Sequence, residues 1–264
     1  MRPLLGTYVE IGCQQTDAIA EHAIKAAFDT IETIHHLLSF HEHTSELSLI
    51  NQAQGKVFSA HRHTLRVLKL AIAMTNASNG LFNCTVGNAL IRDNILPNHD
   101  LLPNKTFPNI SGKASDIQIN GNNVRLRNGI KITLDGIAKG YAVDCAISVM
   151  KRYGIKAAWV NAGGDLRVYG DMLLPVQRRE IDGAYVNLGG MQNAAIATSI
   201  VREQYNPSFP SKIFNTFKKP AVGSWTVMAQ YAWRADALTK VACLADAANR
   251  TLIIQRLGGT IIAV

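Results

Sequence analysis

Apolar and polar residues alternate near the start of the chain (Leu5, Thr7, Val9, Ile11), the period of a half-buried strand. From residue 19 the period changes. Ile19, Ala23, Ala26, Ala27, Ile31, Ile34 and Leu38 fall on one helical face, with Asp17 placed to cap the first turn. Residues 39–44 form a histidine-containing loop. A short helix is expected over residues 45–51, capped by Ser45 or Thr44. An amphipathic helix follows from about Thr64 to Ala77 and stops at Ser78-Asn79-Gly80. Residues 93–115 hold Pro97, Pro103, Pro108 and many Asn and Asp, which reads as a long connection, either a lobe boundary or a binding loop.

A strand-rich block comes next. Strands are expected over 116–119, 124–127 and 130–134, the last two joined by Asn128-Gly129, a tight-hairpin signal. Residues 132–144, I-T-L-D-G-I-A-K-G-Y-A-V-D, then lead through a glycine turn into a helix ending near Gly154. Further strands are expected over 157–160, 165–169, 184–188, 194–198, 225–229 and 260–264. Helices are expected over 236–245 and 247–257. Strands cluster rather than alternate with helices, so the pattern favours an α+β fold over a doubly wound sheet.

Length and composition change this picture little. A chain of 264 residues with 47% hydrophobic and 17% charged residues can bury a large core, as one domain or two packed lobes. No apolar run approaches the roughly 20 residues of a transmembrane helix. The first residues show no leader-like apolar stretch, which fits a cytoplasmic protein or a trimmed leader. The net charge of +8 suits an anionic partner, but the basic residues are scattered, which argues against nucleic acid. Cys13, Cys84, Cys145 and Cys243 form no C-x-x-C and are expected as reduced thiols.

Three stretches could carry chemistry. Gly136 and Gly140 bracket Lys139 at an expected helix N-terminus, a seat for a phosphate with an added cation, or an ordinary turn with a surface lysine. The turn Asn161-Ala162-Gly163-Gly164-Asp165 lacks Rossmann spacing; it either lets a ligand approach the backbone or is a plain β-turn. Asp236 is expected in the first turn of its helix, with Thr239 and Lys240 on nearly the same face. Asp236 with Thr239 could hold Mg²⁺, while Asp236 with Lys240 could be a helix-surface ion pair worth about 0.3–0.5 kcal/mol. The histidines at 35, 36, 41 and 43 are expected to be solvated loop side chains.

In order, Leu5-Gly6-Thr7, residues 45–51 (S-E-L-S-L-I-N), 80–87 (G-L-F-N-C-T-V-G), 136–144 (G-I-A-K-G-Y-A-V-D), 161–165 (N-A-G-G-D), Ala197-Thr198-Ser199 and Ala235-Asp236-Ala237-Leu238 resemble the FAD:protein FMN transferases, the ApbE-like flavin transferases. The resemblance spans nearly the whole chain. It implies a two-lobed α+β fold with FAD in a cleft between lobes, and Mg²⁺ beside the FAD pyrophosphate. FMN would be transferred to a Thr or Ser hydroxyl of an acceptor protein. By the same resemblance Leu5 and Phe40 or His41 flank the flavin, and Leu81, Phe82, Asn83, Thr133, Lys139, Asp144 and Ile213 contact FAD. Gly136, Asp236 and Thr239 hold the metal, and Lys139 and Asp236 serve catalysis. The resemblance also places the protein in the periplasm or at a membrane face. It breaks at Lys240, where the family commonly has Thr four residues after the metal-binding Asp. It breaks again where a histidine-containing segment has only Lys212-Ile213-Phe214-Asn215 as its counterpart. An FAD-binding homologue without transfer is the alternative those departures suggest.

Overall fold

In the computed structural model, residues 1–99, 111–203 and 212–262 are described. The first elements in chain order are β1 (Arg2–Leu4), β2 (Thr7–Cys13), α1 (Ala18–Leu38), α2 (Glu46–Gln52), β3 (Phe58–Ser59), α3 (Arg62–Ala77) and α4 (Gly87–Arg92). After a 3-10 turn (Ala114–Asp116) come β4 (Ile117–Asn120), β5 (Asn123–Leu126), α5 (Ala138–Arg152), β6 (Ala158–Ala162), β7 (Asp165–Tyr169) and β8 (Leu174–Arg179). The chain closes with β9 (Tyr185–Met191), β10 (Ala195–Val201), β11 (Gly223–Ala229), α6 (Ala232–Leu244), α7 (Arg250–Arg256) and β12 (Gly259–Ile261). All strand pairings among the described residues are antiparallel, which bears out the α+β class. The chain forms two compact units. One comprises Met1–His35, Ile137–Arg202 and Ala221–Val264; the other comprises His36–Gly136 and Glu203–Pro220.

The first unit is built on a sheet in the order β1-β2-β6-β7-β10-β11-β12. The two-residue side-chain period of its strands separates two chemistries. On one face Leu166, Val168 and Ile196 pack with Val176 and Met191 of the β8–β9 hairpin. On the other face Ala197 packs with Ala229 and Ala235, and α5 and α6 lie against β6, β7, β10 and β11. The intervening residues Asp165, Arg167 and Ser199 point toward those helices. α6 is buried on every side, Asp236 and Thr239 included, as a helix inside a core must be.

Where α5 crosses the start of α6, the approach depends on Gly140. A Cβ there would overlap the Ala232 carbonyl and lie 2.6 Å from the Trp233 nitrogen. One turn later, the Asp144 carboxylate accepts from the Ala232 and Trp233 N–H groups at 3.1 and 2.9 Å and from Arg167. It thereby satisfies two orphan donors of the α6 N-terminus.

The second unit carries the small sheet β3-β5-β4. Ser45, not Thr44, caps α2 by accepting from the Ser48 N–H at 3.1 Å. α3 starts two residues before Thr64, with His61 as its cap. Residues 93–99 and 111–115 belong to this unit, while 100–110, the middle of the expected connection, lie outside the described residues.

Several local expectations are corrected. Residues 130–134 are not a strand, and Asn128-Gly129 does not join a hairpin. The backbone of Ile132 is taken instead by the Asn51 side chain, whose amide donates to its carbonyl and accepts from its N–H, both at 2.8 Å. Thr133 N–H donates to the Cys84 carbonyl at 2.8 Å. With those groups committed to irregular partners, no ladder forms. The hairpin is instead β4–β5, turning at Gly121-Asn122. Ile19 is exposed rather than on the buried face of α1. β8 was not expected, because Leu174-Pro175-Val176 carries a proline that lowers strand propensity; among the described residues it pairs with β9 in a two-stranded sheet. The final strand is shorter than expected, and residues 263–264 lie outside the described residues.

Candidate active site

The first unit gathers two carboxylates and two lysines beneath its helices. Asp236 is fully buried, and its helix begins four residues before it, at Ala232, so it does not lie in the first turn. The helix extends backward because Asp144 and the alanines at 232 and 235 support its opening turn. The Asp236 Oδ1 atom lies 2.5 Å from Lys240 Nζ, and Oδ2 accepts from the Gly140 N–H at 3.4 Å. The pair is therefore buried rather than on the helix surface, and the small energy of an exposed pair does not apply. The Gly140 bond brings the G-x-x-K-G stretch and Asp236 together across 96 residues of sequence. Thr239 donates its hydroxyl to the Asp236 carbonyl at 2.7 Å and shares a 2.7 Å bond with Ser199.

Asp165, the first residue of β7, completes the cluster. Its Oδ2 is buried with no hydrogen-bond partner, and Lys139 Nζ lies 3.6 Å away, supplying charge but not a direct bond. Burial, and next the neighbouring Asp236 carboxylate, raise the Asp165 pKa from 3.8 to about 6, against the pull of Lys139 and Lys240. In the sequence Asp165 reads only as the end of a glycine turn. Its signal was positional: it shares a strand face with Arg167, two residues on.

A raised carboxylate pKa means that the protonated form is favoured by folding. The stability that Asp165 contributes is complete below about pH 4 and is lost as pH rises through about 6. Asp165→Asn, neutral at every pH, should match the wild type near pH 4 and exceed it at pH 7 by on the order of 1–3 kcal/mol. Urea unfolding at several pH values checks this. Parallel pH profiles for the two proteins would contradict it.

The remaining expected site residues divide by unit. Leu5 and Gly6 turn between β1 and β2 at φ +57° and +69°, and the Leu5 N–H donates to His35 Nδ1 at 3.2 Å. Asp144 has its bonds accounted for by Arg167 and the α6 N-terminus. In the second unit Phe40 and Phe82 are buried, Leu81 and Ile213 are half-buried, and His41 is exposed. Thr133 is buried, and its Oγ1 accepts from the Asp135 N–H at 3.4 Å; Gly136 lies in the turn before α5. Asn83 is structurally engaged: it accepts from Thr85 N–H at 2.9 Å and donates to the Gly112 carbonyl at 3.1 Å. Asn215 donates to the Gly80 carbonyl at 3.0 Å, and Lys212 pairs with Asp93 at 2.6 Å.

The glycine turn after β6 has a packing explanation. Gly163 and Gly164 take φ of +60° and +101°, as a tight hairpin between right-twisted strands requires. A Cβ on Gly163 would overlap the Thr7 side chain, so the glycine admits the neighbouring strand β2. All four cysteines are free thiols, and burial pushes those of Cys84 and Cys243 up to about 12. Of the clustered histidines, His41 and His43 are exposed, while His36 Nδ1 lies 3.0 Å from Glu42 Oε2. Among the described residues no helix is long and apolar enough to cross a membrane.

A model of the ApbE family matches residues 5–263. An FAD:protein FMN transferase of Vibrio cholerae serotype O1 is 28% identical over 180 residues, covering 64% of this chain and 53% of the relative. The chain thus spans about half the length of the curated relative it matches. The solved flavin transferase ApbE from Vibrio cholerae superposes with a TM-score of 0.71 at 24% identity, over 91% of this chain and 84% of that one. The ApbE protein from Thermotoga maritima gives 0.78 at 24% identity, over 97% and 90%. The apo flavinyl transferase ApbE of Pseudomonas stutzeri gives 0.75 at 15% identity, over 97% and 93%. At these identities the structural likeness establishes the fold.

Proposed function

We propose, from the premise that this chain belongs to the ApbE family, that it binds FAD and transfers FMN to a Thr or Ser hydroxyl of an acceptor protein. The observation that carries the reading is the family match over residues 5–263. It is supported by the meeting of the 136–144 and 235–238 stretches at the Gly140–Asp236 bond. In the reaction the acceptor oxygen bonds to the FMN phosphorus and the pyrophosphate P–O bond breaks. AMP leaves with the bonding pair, and the hydroxyl proton is released. The protein's task is to neutralise the charge on the transferred phosphoryl group.

Lys139 is the residue proposed for that task. It stands in the first turn of α5, its side chain is about one-third exposed, and its Nζ lies 3.6 Å from Asp165 Oδ2. Asp236 is proposed as a positioning residue: wholly buried with both oxygens engaged, it orients the α5 N-terminus and Lys240 rather than taking the acceptor proton. By the family resemblance, Leu5, Phe40, His41, Leu81, Phe82, Asn83, Thr133 and Ile213 are proposed as FAD contacts. Asp144 would act there only indirectly, by fixing α6 on α5.

The family resemblance also implies Mg²⁺ held by Gly136, Asp236 and Thr239. The residues present do not fit it: an ammonium already occupies Oδ1 of Asp236, and the Thr239 hydroxyl is committed to its own helix carbonyl and to Ser199. No step is assigned to the metal.

Mixing the protein with FAD and candidate acceptor proteins should release AMP and add one FMN to the acceptor, read by intact mass. Lys139→Met should weaken FAD binding by about tenfold, the scale of one lost charge-assisted hydrogen bond. Bound FAD that stays intact across several acceptors would instead favour the reading of an FAD-binding protein without transfer, which the Lys240–Asp236 pair motivates.

A further inference from the structure

The cluster in the first unit is electrically closed. When ionised, Asp165 and Asp236 carry two negative charges, and Lys139 and Lys240 carry two positive charges. Asp236 sits on a helix buried on all sides, and Lys240 follows one turn later on the same helix, its side chain only 19% exposed. A lysine tethered at that spacing cannot leave Asp236 without stranding a buried carboxylate. Nor can a divalent ion approach Oδ1 without meeting the ammonium, a repulsion that low-dielectric surroundings magnify. Lysine offers charge but no lone pair for coordination.

We infer that Lys240 is a built-in counter-cation that holds the metal position at Asp236, so that this site is closed to divalent ions. Removing the lysine charge should open it. The inference rests on the flavin-transferase reading for where a metal would be expected, and otherwise on the Asp236–Lys240 geometry alone.

The full chain is titrated with Mn²⁺ and free Mn²⁺ is followed by electron paramagnetic resonance, with folding checked by circular dichroism. The wild type should leave Mn²⁺ free through the millimolar range. Lys240→Thr should bind one Mn²⁺ per chain at least tenfold more tightly than the wild type, and the added change Asp236→Asn should abolish that gain. Because Lys240→Thr leaves a buried carboxylate unpaired, Lys240→Gln serves as a second variant. Its amide can still donate to Asp236 while the charge is gone, and it should show the same gain. Stoichiometric Mn²⁺ binding by the wild type that disappears in Asp236→Asn would overturn the inference. So would folded Lys240→Thr or Lys240→Gln proteins that bind Mn²⁺ no better than the wild type. Quenching of flavin fluorescence by the wild type without added metal tests the other reading separately. If FAD fails to bind, the flavin reading falls, while the Mn²⁺ result still decides the role of Lys240.

Discussion

Replacing Gly140 with alanine destabilises the protein by about 3 kcal/mol, although helix propensity alone would favour the alanine by about 1 kcal/mol. The sign is the informative part. Gly140 lies inside α5, where a glycine is ordinarily a weakness. Here the added methyl would overlap the Ala232 carbonyl and crowd the Trp233 nitrogen. Both are backbone atoms of the first turn of α6, so no side chain can swing aside. Either α5 lifts from α6, breaking the bond from Gly140 N–H to Asp236, or α6 frays at its start. Urea unfolding followed by circular dichroism reads the change. A Gly140→Ala protein as stable as the wild type would mean that the helices are not in this close approach.

The second large effect is expected at Asp144. Asp144→Ala should cost about 3–5 kcal/mol, the usual cost of breaking one side of a buried ion pair. The substitution strips Arg167 of its carboxylate and leaves the Ala232 and Trp233 N–H groups without their acceptor. Arg167 also lies over the Tyr231 ring at 4.7 Å, and Tyr231 is the residue before α6, so the loss spreads to the helix entry. Asp144→Asn keeps an acceptor and should lose less than half as much. Burial raises the Asp144 pKa despite Arg167 and the two N–H donors. The pair is thus not a large net source of stability, yet removing one partner is expensive because the other stays buried. Equal stability of Asp144→Ala and the wild type in denaturant titrations would refute this account.

Much of the fold was legible in local patterns. The helical face of α1, its Asp17 cap, the Ser45 cap of α2, the stop of α3 at Asn79-Gly80 and the β6–β7 glycine turn all follow from spacing and turn chemistry. The misreadings share one cause. Residues 130–134 look like a strand, but the Asn51 side chain takes the place of a neighbouring strand, and no local pattern encodes a partner 81 residues away. β8 contains a proline that local propensity counts against it, and only its pairing with β9 and packing on the sheet make it a strand.

The candidate site divides along the same line. The sequence by itself determined which residues share a turn or a face: Lys139 and Gly140 in the first turn of α5, Asp236 and Lys240 one turn apart on one helix face, Asp165 and Arg167 on one side of a strand. These relations depend only on helix and strand periods. The tertiary structure alone decided how those faces meet. Packing buried Asp236 completely, which turned an expected surface pair into an interior one, and it set Lys139 against Asp165. It also required glycine at 140 and engaged Asp144 at the end of a helix 88 residues away. Periodicity fixes the direction of a side chain, but burial and charge balance depend on the surface packed opposite it, and that surface comes from a distant part of the chain.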